Sequence, residues 1–271
     1  MQRRSMFKWG PILIALVSLA VFYFRSESFE NPITGRETRL GLSKDEEIAL
    51  GLQGYNEVLS RSQVVESGPE VEMVRRVAKR LVNVVGDEGA GFEWKVSLVR
   101  SDEINAFCLP GGKIVVYTGI LSVAQNEAGL ATVMGHEIAH ATSRHGAERM
   151  FDQGMVEIAM KGVQGSIEDL EPSQRQTILG IIGAGTKFGV LLPFSRKHEL
   201  EADEIGLYYM TKAGYEPEEA VAFWKRMAEA GGAKPPEFAS THPSDDTRIR
   251  RLRELIPQIR ERASGISNTS R

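Results

Sequence analysis

The sequence predicts an α+β fold that is mainly α-helical and has a small β-sheet near its middle. Apolar residues recur at helical spacing over most of the chain, which favours helices. β-Branched residues are concentrated in two short segments, Trp94 to Ser101 and Lys113 to Leu121, which favours strands. With 271 residues, 42% of them hydrophobic and 25% charged, the chain is long enough for one large domain or two small ones.

The composition argues against a nucleic-acid partner. The formal net charge is -3 and the pI is about 6.0, whereas binding to phosphate requires clustered lysine and arginine. The arginines between Arg248 and Arg253 have acidic neighbours, which is typical of a solvated helix face. The single cysteine, Cys108, lies in a short apolar run, so we interpret it as a small buried side chain and not as a nucleophile.

The N-terminus contains a candidate membrane segment. Trp9 to Phe24 is a run of 16 uncharged, mostly apolar residues, preceded by basic residues and followed by Arg25. As a helix it would cover roughly 24 Å, less than the ~30 Å hydrocarbon core of a bilayer. The basic leading flank predicts that the remainder of the chain is exported, to the periplasmic face of the inner membrane in a bacterium. Residues 1–25 are then an uncleaved signal anchor, which we favour, or a cleaved signal peptide that releases an exported soluble protein.

Three further regions follow this segment. Residues 26–42 are polar and contain proline and glycine, so we predict a linker or extended arm. Residues 43–262 form the predicted main domain, and residues 263–271 a flexible tail. The predicted helices cover residues 43–59, 69–85, 126–153, 173–192, 196–213, 217–230 and 245–262. The apolar stretch Leu179 to Phe194 is interpreted as an interior helix, because it is rich in glycine and carries Lys187 near its middle.

An HExxH motif lies on the predicted helix 126–153. On a helix, His136 and His140 are about 40° apart around the axis and roughly 6 Å apart along it, so their imidazoles converge on one ion. Glu137 is rotated by ~100° from His136, which places its carboxylate where it can take a proton from a water molecule. The spacing therefore predicts two metal ligands and a general base.

A catalytic zinc site needs a third protein ligand. His145 is rotated by ~140° from His140 on a continuous helix, so it is predicted to face away from the ion and to pack. Glu148, with Asp152 one turn later, would lie about 18 Å along the axis from His136, which is too far to share an ion.

The segment from Ser195 to Asp203 offers a better third ligand. Glu199 and Asp203 are one helical turn apart, so one carboxylate can bind metal while the other orients a ligand histidine. On the same helix Glu201 points to the opposite side, and His198 is displaced by ~100°. We therefore predict Glu199 as the ligand, and Glu201 and His198 as bystanders.

Three sequence segments resemble a known family. GHEIAH, SRKHELEAD and THPSDDTRI are similar to segments of the zinc endopeptidases that include HtpX, the type-one CAAX prenyl protease and the Oma-type membrane proteases. The resemblance covers about Asn31 to Leu255, and single-anchor periplasmic Oma-like members are the most similar. It implies a zincin-type (gluzincin) metalloprotease domain with the sheet beside the HExxH helix, one Zn²⁺ per chain, and Glu199 as the third ligand.

The resemblance also implies roles for residues near the metal. His242 would lie over the site, where it steadies the reacting oxyanion or occupies the open zinc position in a latent form. Arg248 would support this region. An extended substrate would pair with the strand at Ile114, Val115, Val116 and Tyr117.

The sequence as a whole predicts a membrane-anchored zinc endopeptidase that acts on unfolded or misassembled proteins, in envelope or membrane protein quality control. Its partners are a protein substrate and, through the N-terminal segment, the lipid bilayer. The predicted residues are the ligands His136, His140 and Glu199 and the catalytic residues Glu137, His242, Asp203 and Arg248. The alternative is a latent zinc protein that acts as a chaperone or binding module, with His242 closing the metal site.

Overall fold

The computed structural model describes residues 7–179, 194–230, 238, 242 and 246–265. The helices are α1 (Trp9–Arg25), α2 (Lys44–Ser60), α3 (Pro69–Val82), α4 (Thr118–Ala124), α5 (Glu127–Thr142), α6 (His145–Ser166), α7 (Arg196–Lys212), α8 (Glu218–Ala230) and α9 (Asp246–Ala263). The strands are β1 (Glu27–Glu30), β2 (Glu37–Leu40), β3 (Val64–Val65), β4 (Lys95–Val99), β5 (Ala106–Leu109) and β6 (Lys113–Tyr117). The predicted α+β, mainly helical fold class is confirmed.

The chain forms two compact units. The first comprises Met1–Glu30, Arg36–Ser43 and Gly146–Leu192, and the second comprises Asn31–Gly35, Lys44–His145 and Pro193–Arg271. Residues 180–192 of the predicted helix 173–192 lie outside the described residues, as does most of the apolar stretch Leu179 to Phe194.

In the first unit, α1 packs closely against α6. Glycines of α6 allow this approach, because a Cβ added at Gly162 would lie 2.4 Å from the Cβ of Ala15. The rings of Phe22 and Phe151 stack with their centroids 5.3 Å apart. The predicted arm 26–42 contains the antiparallel pair β1–β2, which the sequence did not indicate.

The predicted transmembrane helix is not confirmed. α1 has 17 residues, and the described part of the chain contains no helix that is both long enough and apolar enough to cross a bilayer.

The second unit contains a four-stranded sheet with the order β3-β4-β6-β5. β4 and β6 are parallel, with Leu98 opposite Val116, whereas β5 is antiparallel to β6, with Cys108 opposite Ile114. β5 lies outside the two segments that were predicted as strands. A turn at Pro110, Gly111 and Gly112 joins β5 to β6, and Gly111 has a φ of 77°, a conformation that favours glycine.

The position of β6 corrects one prediction. Both edges of β6 are occupied, by β4 on one side and β5 on the other, so a substrate strand cannot pair directly with Ile114, Val115, Val116 and Tyr117. Among the described strands of this sheet, β5 and β3 are the edge strands. The predicted strand Lys113 to Leu121 ends at Tyr117, where α4 follows.

α5 is the central helix of the second unit. Every residue from Gly129 to Thr142 is buried, and the N-cap Asn126 accepts a hydrogen bond from the N–H of Gly129. α7 crosses α5 at two glycines, where a Cβ added at Gly206 would lie 2.8 Å from the backbone nitrogen of His136. Glycine at this crossing therefore allows the backbones of α7 and α5 to come close.

The predicted single helix 126–153 is wrong. α5 ends at Thr142 and α6 begins at His145, with Arg144 between them at a φ of 56°. A residue in this left-handed conformation cannot continue an α-helix, so α5 cannot extend through Arg144.

Candidate metal centre and active site

α5 and α7 bring the predicted ligands together. His136 Nε2 lies 3.1 Å from His140 Nε2, which lies 3.3 Å from Glu199 Oε1. His242 joins them, with its Nδ1 2.9 Å from Glu199 Oε1 and 3.3 Å from His136 Nε2. All four side chains are buried, and their ligand atoms lie within 4.8 Å of one another. The structure therefore brings together residues separated by as many as 106 positions in sequence.

The chemistry of this cluster fits a zinc ion. Three imidazoles and one carboxylate are nitrogen and oxygen donors of the kind that Zn²⁺ binds. Among the described residues, Glu137 Oε1 is buried without a hydrogen-bond partner, which is costly unless it faces a cation or a water molecule. In the same part of the chain, Glu199 Oε2 has only ion-pair contacts, at 3.4 Å to both His136 and Arg248. His136, His140 and Glu199 would hold the ion, and His242 lies close enough to be the fourth ligand.

Electrostatics favour the protonation states that a metal requires at two of these ligands. Burial opposes ionisation of Glu199, but hydrogen bonds from three histidines outweigh it and hold the pKa of Glu199 far below its usual range. Burial lowers the pKa of His140 well below its usual value, which keeps its imidazole neutral. Burial and the nearby Arg248 also lower the pKa of His136, but hydrogen bonds to Asp203 and Glu199 reverse the effect and raise it to about 9.

Asp203 orients His136. Its Oδ1 lies 3.0 Å from His136 Nδ1, so the carboxylate accepts the Nδ1 proton and leaves Nε2 for the cluster. Arg248 donates to both oxygens of Asp203, at 2.6 Å and 2.5 Å, and its guanidinium lies 3.4 Å from the ring centroid of Trp224. Asp203 thus contacts His136 directly, and Arg248 supports Asp203.

Glu137 lies between the cluster and the edge strand β5. Its Oε1 is 3.6 Å from His242 Nε2, and its helix α5 packs against β5. Burial raises the pKa of Glu137, although His242 and His136 partly offset the effect. Burial likewise raises the pKa of the Cys108 thiol, in keeping with its interpretation as a buried side chain.

His145 makes contacts that its spacing from His140 did not predict. It is not part of the ligand cluster, but its Nδ1 lies 2.9 Å from His140 Nδ1 and its Nε2 lies 2.9 Å from Glu201 Oε2. Its ring also stacks on that of His198, with the centroids 4.5 Å apart. The prediction that His145 faces away assumed a continuous helix, and the turn at Arg144 removes that assumption. Glu201, predicted as a bystander, is a hydrogen-bond partner.

Glu148 does not belong to the cluster, although the predicted distance assumed a continuous helix that the structure does not have. Its carboxylate accepts two hydrogen bonds from Arg36, at 2.9 Å and 2.7 Å.

The fold and the site together define a zinc peptidase of the gluzincin class, in which an HExxH helix and a glutamate from a later helix share one ion. Residues 70–256 match the model of Peptidase family M48. The chain belongs to peptidase family M48 and is a zinc metalloendopeptidase, which confirms the predicted enzyme class and cofactor.

Three relatives illustrate the similarity. The mitochondrial metalloendopeptidase OMA1 of Schizosaccharomyces pombe is 36% identical over 94% of this chain and 74% of its own length. The mitochondrial metalloendopeptidase OMA1 of Danio rerio is 34% identical over 91% of this chain and 54% of its own length. The beta-barrel assembly-enhancing protease of Escherichia coli K12 is 29% identical over 84% of this chain and 47% of its own length.

Proposed function

We propose that this endopeptidase hydrolyses unfolded or misassembled proteins, with Glu137 as general base beside a zinc ion held by His136, His140 and Glu199. The observation that carries the proposal is the burial of these ligands next to Glu137, on a helix that packs against an edge strand. A role in protein quality control agrees with the name of the E. coli relative, a beta-barrel assembly-enhancing protease. The alternative of a chaperone or binding module is not favoured, because it gives Glu137 no role.

The chain's own residues supply most of the reaction. A bound zinc ion would polarise the substrate carbonyl and activate a water molecule. Glu137 accepts the proton from the attacking water and passes it to the leaving amine. Asp203, supported by Arg248, holds His136 in the tautomer that presents Nε2. Burial of the cluster strengthens these electrostatic interactions because water is excluded.

In this proposal, the metal site is closed in the resting state because His242 lies in the cluster. Its Nδ1 contacts both His136 Nε2 and Glu199 Oε1, so it lies among the atoms that would hold the ion. A catalytic zinc keeps one position open, whereas four protein ligands close the site. The His242 ring must therefore leave the cluster before substrate binds.

The experiment that tests the function is cleavage of labelled, unfolded casein by the zinc-loaded full chain, with metal analysis. The wild type is expected to contain one zinc per chain and to produce peptide fragments. The variant His242→Ala is expected to cleave at least about threefold faster, because a larger fraction of the protein is open to substrate. Stoichiometric zinc without fragments in either protein would contradict the protease and support the binding module. Slower cleavage by His242→Ala would show that His242 steadies the oxyanion.

The outer edge of β5 is the proposed docking site for an extended substrate. The N–H of Tyr117 donates to the carbonyl of Asn105 at 3.1 Å. This bond fixes which residues of β5 form hydrogen bonds with β6. Because hydrogen-bonded positions alternate, the main-chain groups of Ala106 and Cys108 point away from β6. The helix that carries Glu137, α5, packs against β5. A substrate strand would thus meet Ala106 beside the general base.

A proline at position 106 tests this docking site. Ala106→Pro removes one outward N–H without removing a bond to β6, so it is compatible with an edge strand. Loss of one hydrogen bond of about 1 kcal/mol is expected to lower kcat/KM for casein roughly fivefold. Ala106→Ser keeps the N–H and serves as the control. Equal losses in both variants, or no loss in Ala106→Pro with unchanged thermal stability, would contradict the docking site.

We also propose that α1 associates with a lipid surface, with the catalytic residues on the exported side. One face of α1 packs on α6, whereas its other face exposes large apolar side chains: Trp9, Leu13, Ile14, Leu16, Val17, Val21 and Phe24. Such a cluster on a protein surface favours an apolar partner. The basic leading flank of α1 suits anionic headgroups, as in helices that lie in the membrane interface.

Vesicle flotation tests the lipid association. The full chain is expected to float with vesicles of phosphatidylethanolamine and phosphatidylglycerol. The double variant Ile14→Asp and Val17→Asp is expected to lose at least about 90% of the bound fraction, since each buried apolar side chain contributes roughly 1.5–3 kcal/mol. The control is Leu50→Asp, at a position on α2 that is 47% exposed. Equal flotation of the double variant and the control would contradict the proposal.

A further inference from the structure

We propose that His145 is a positioning residue for the zinc ligand His140, and that Glu201 holds His145 in place. The inference rests on the proposed zinc site. Its basis is a chain of contacts in which Glu201 Oε2 meets His145 Nε2 at 2.9 Å, and His145 Nδ1 meets His140 Nδ1 at 2.9 Å. The other nitrogen of His140, Nε2, belongs to the ligand cluster.

The hydrogen-bond chemistry assigns the protons along this chain. A carboxylate only accepts, so His145 Nε2 carries the proton that it shares with Glu201. In a neutral imidazole the second nitrogen is then an acceptor, so His145 Nδ1 accepts a proton from His140 Nδ1. The Nε2 lone pair of His140 is consequently available to a metal. One arrangement of protons satisfies all three groups and prepares His140 as a ligand.

The other histidine ligand, His136, also has a partner at its Nδ1, but there a carboxylate contacts the ring directly. His136 Nδ1 is 3.0 Å from the carboxylate of Asp203. For His140, an imidazole is inserted between the ligand and the carboxylate of Glu201. Both ligand histidines of α5 thus have a partner at Nδ1, and partners of this kind fix the ring orientation and raise the basicity of the ligand.

The surrounding structure holds His145 and Glu201 firmly. His145 is fully buried, and Glu201 is 6% exposed, so the carboxylate needs partners to be stable there. The hydroxyl of Thr34 donates to the second oxygen of Glu201. The turn that returns His145 to His140 is fixed by Arg144, whose Nε donates to buried Glu47 at 2.7 Å. These contacts join segments that are far apart in sequence, so the geometry is a property of the folded domain.

The test compares zinc affinity with stability in the full chain. Zinc dissociation constants are measured by competition with a chelator, and the unfolding temperature is measured on metal-free protein. His145→Phe is expected to raise the Kd for zinc about 10–100-fold, the usual effect of losing an outer partner of a ligand. His145→Asn keeps an acceptor for the His140 Nδ1 proton and is expected to raise the Kd less than about fivefold.

The control is Tyr209→Phe, which removes a buried hydroxyl that contacts Thr142 at 3.2 Å, also between α7 and α5. An unchanged Kd in His145→Phe, or an equal rise in Tyr209→Phe, would overturn the inference while leaving the zinc site intact. Absence of zinc binding by the wild type would instead overturn the proposed function. If His145→Phe does not fold, ¹⁵N NMR of the zinc-loaded wild type decides. A proton on His145 Nε2 supports the inference, and a proton on Nδ1 overturns it.

Discussion

Replacement of Glu137 by glutamine is expected to reduce casein cleavage by about a thousandfold or more while one zinc per chain remains bound. Glutamine has almost the same shape but cannot accept a proton from water, and general-base catalysis contributes ~10²–10⁴-fold to such reactions. Glu137 is not among the clustered ligand atoms, so metal binding should persist. The measurements are initial rates with labelled casein and metal analysis of the same sample.

The matched control is Glu127→Gln. Glu127 begins the same helix, α5, and pairs with Arg76 at 2.9 Å near the surface, outside the metal cluster. This variant is expected to retain nearly wild-type rates, because partly exposed pairs contribute little. Cleavage by Glu137→Gln above about a tenth of the wild-type rate would contradict the general-base role.

Removal of the Glu199 carboxylate has the second large expected effect. Glu199→Ala is expected to lose both bound zinc and cleavage, because the only anion among the four clustered ligands disappears. The Kd for zinc should rise by more than the ~10–100-fold expected for loss of an outer partner. Chelator competition measures the affinity, and the casein assay measures the rate.

The comparison for Glu199 is Glu204→Ala on the same helix. Glu204 lies 3.1 Å from Arg262 in a partly exposed pair, away from the metal cluster. Glu204→Ala should bind zinc as the wild type does. If Glu199→Ala kept one tightly bound zinc per chain, the carboxylate would not be a ligand, and the third position would have to be reassigned.

The ligands were predictable from sequence because they depend on local periodicity. His136 and His140 share a face of α5, and Glu199 and Asp203 share a face of α7, for the same geometric reason. The resemblance to zinc endopeptidases then identified Glu199 and drew attention to His242, which no spacing argument could place. The main helices of the second unit were recognisable from the same periodicity and from their terminal proline and glycine residues.

The sheet was less predictable. A strand of four residues such as β5 carries little periodic signal, and which strand lies at the edge depends on pairings between distant segments. The resemblance assigned the substrate strand to β6, which is an inner strand of the sheet. The alternation of hydrogen bonds then directs the main-chain groups of Ala106, and not those of Ile114, to the outer edge of the sheet.

By itself, the sequence determined the mainly helical α+β class. It also predicted the two histidines and the glutamate of the proposed metal site, and Glu137 as the general base. The histidines and Glu137 follow from a short motif on one helix, and the resemblance to zinc endopeptidases selects Glu199. The tertiary structure alone decided that α5 stops at Thr142 and that His145 turns back to His140. Arginine at position 144 carries no sequence signal for a left-handed conformation. Its φ of 56° is held by contacts such as the bond to Glu47, which form only when the chain is folded.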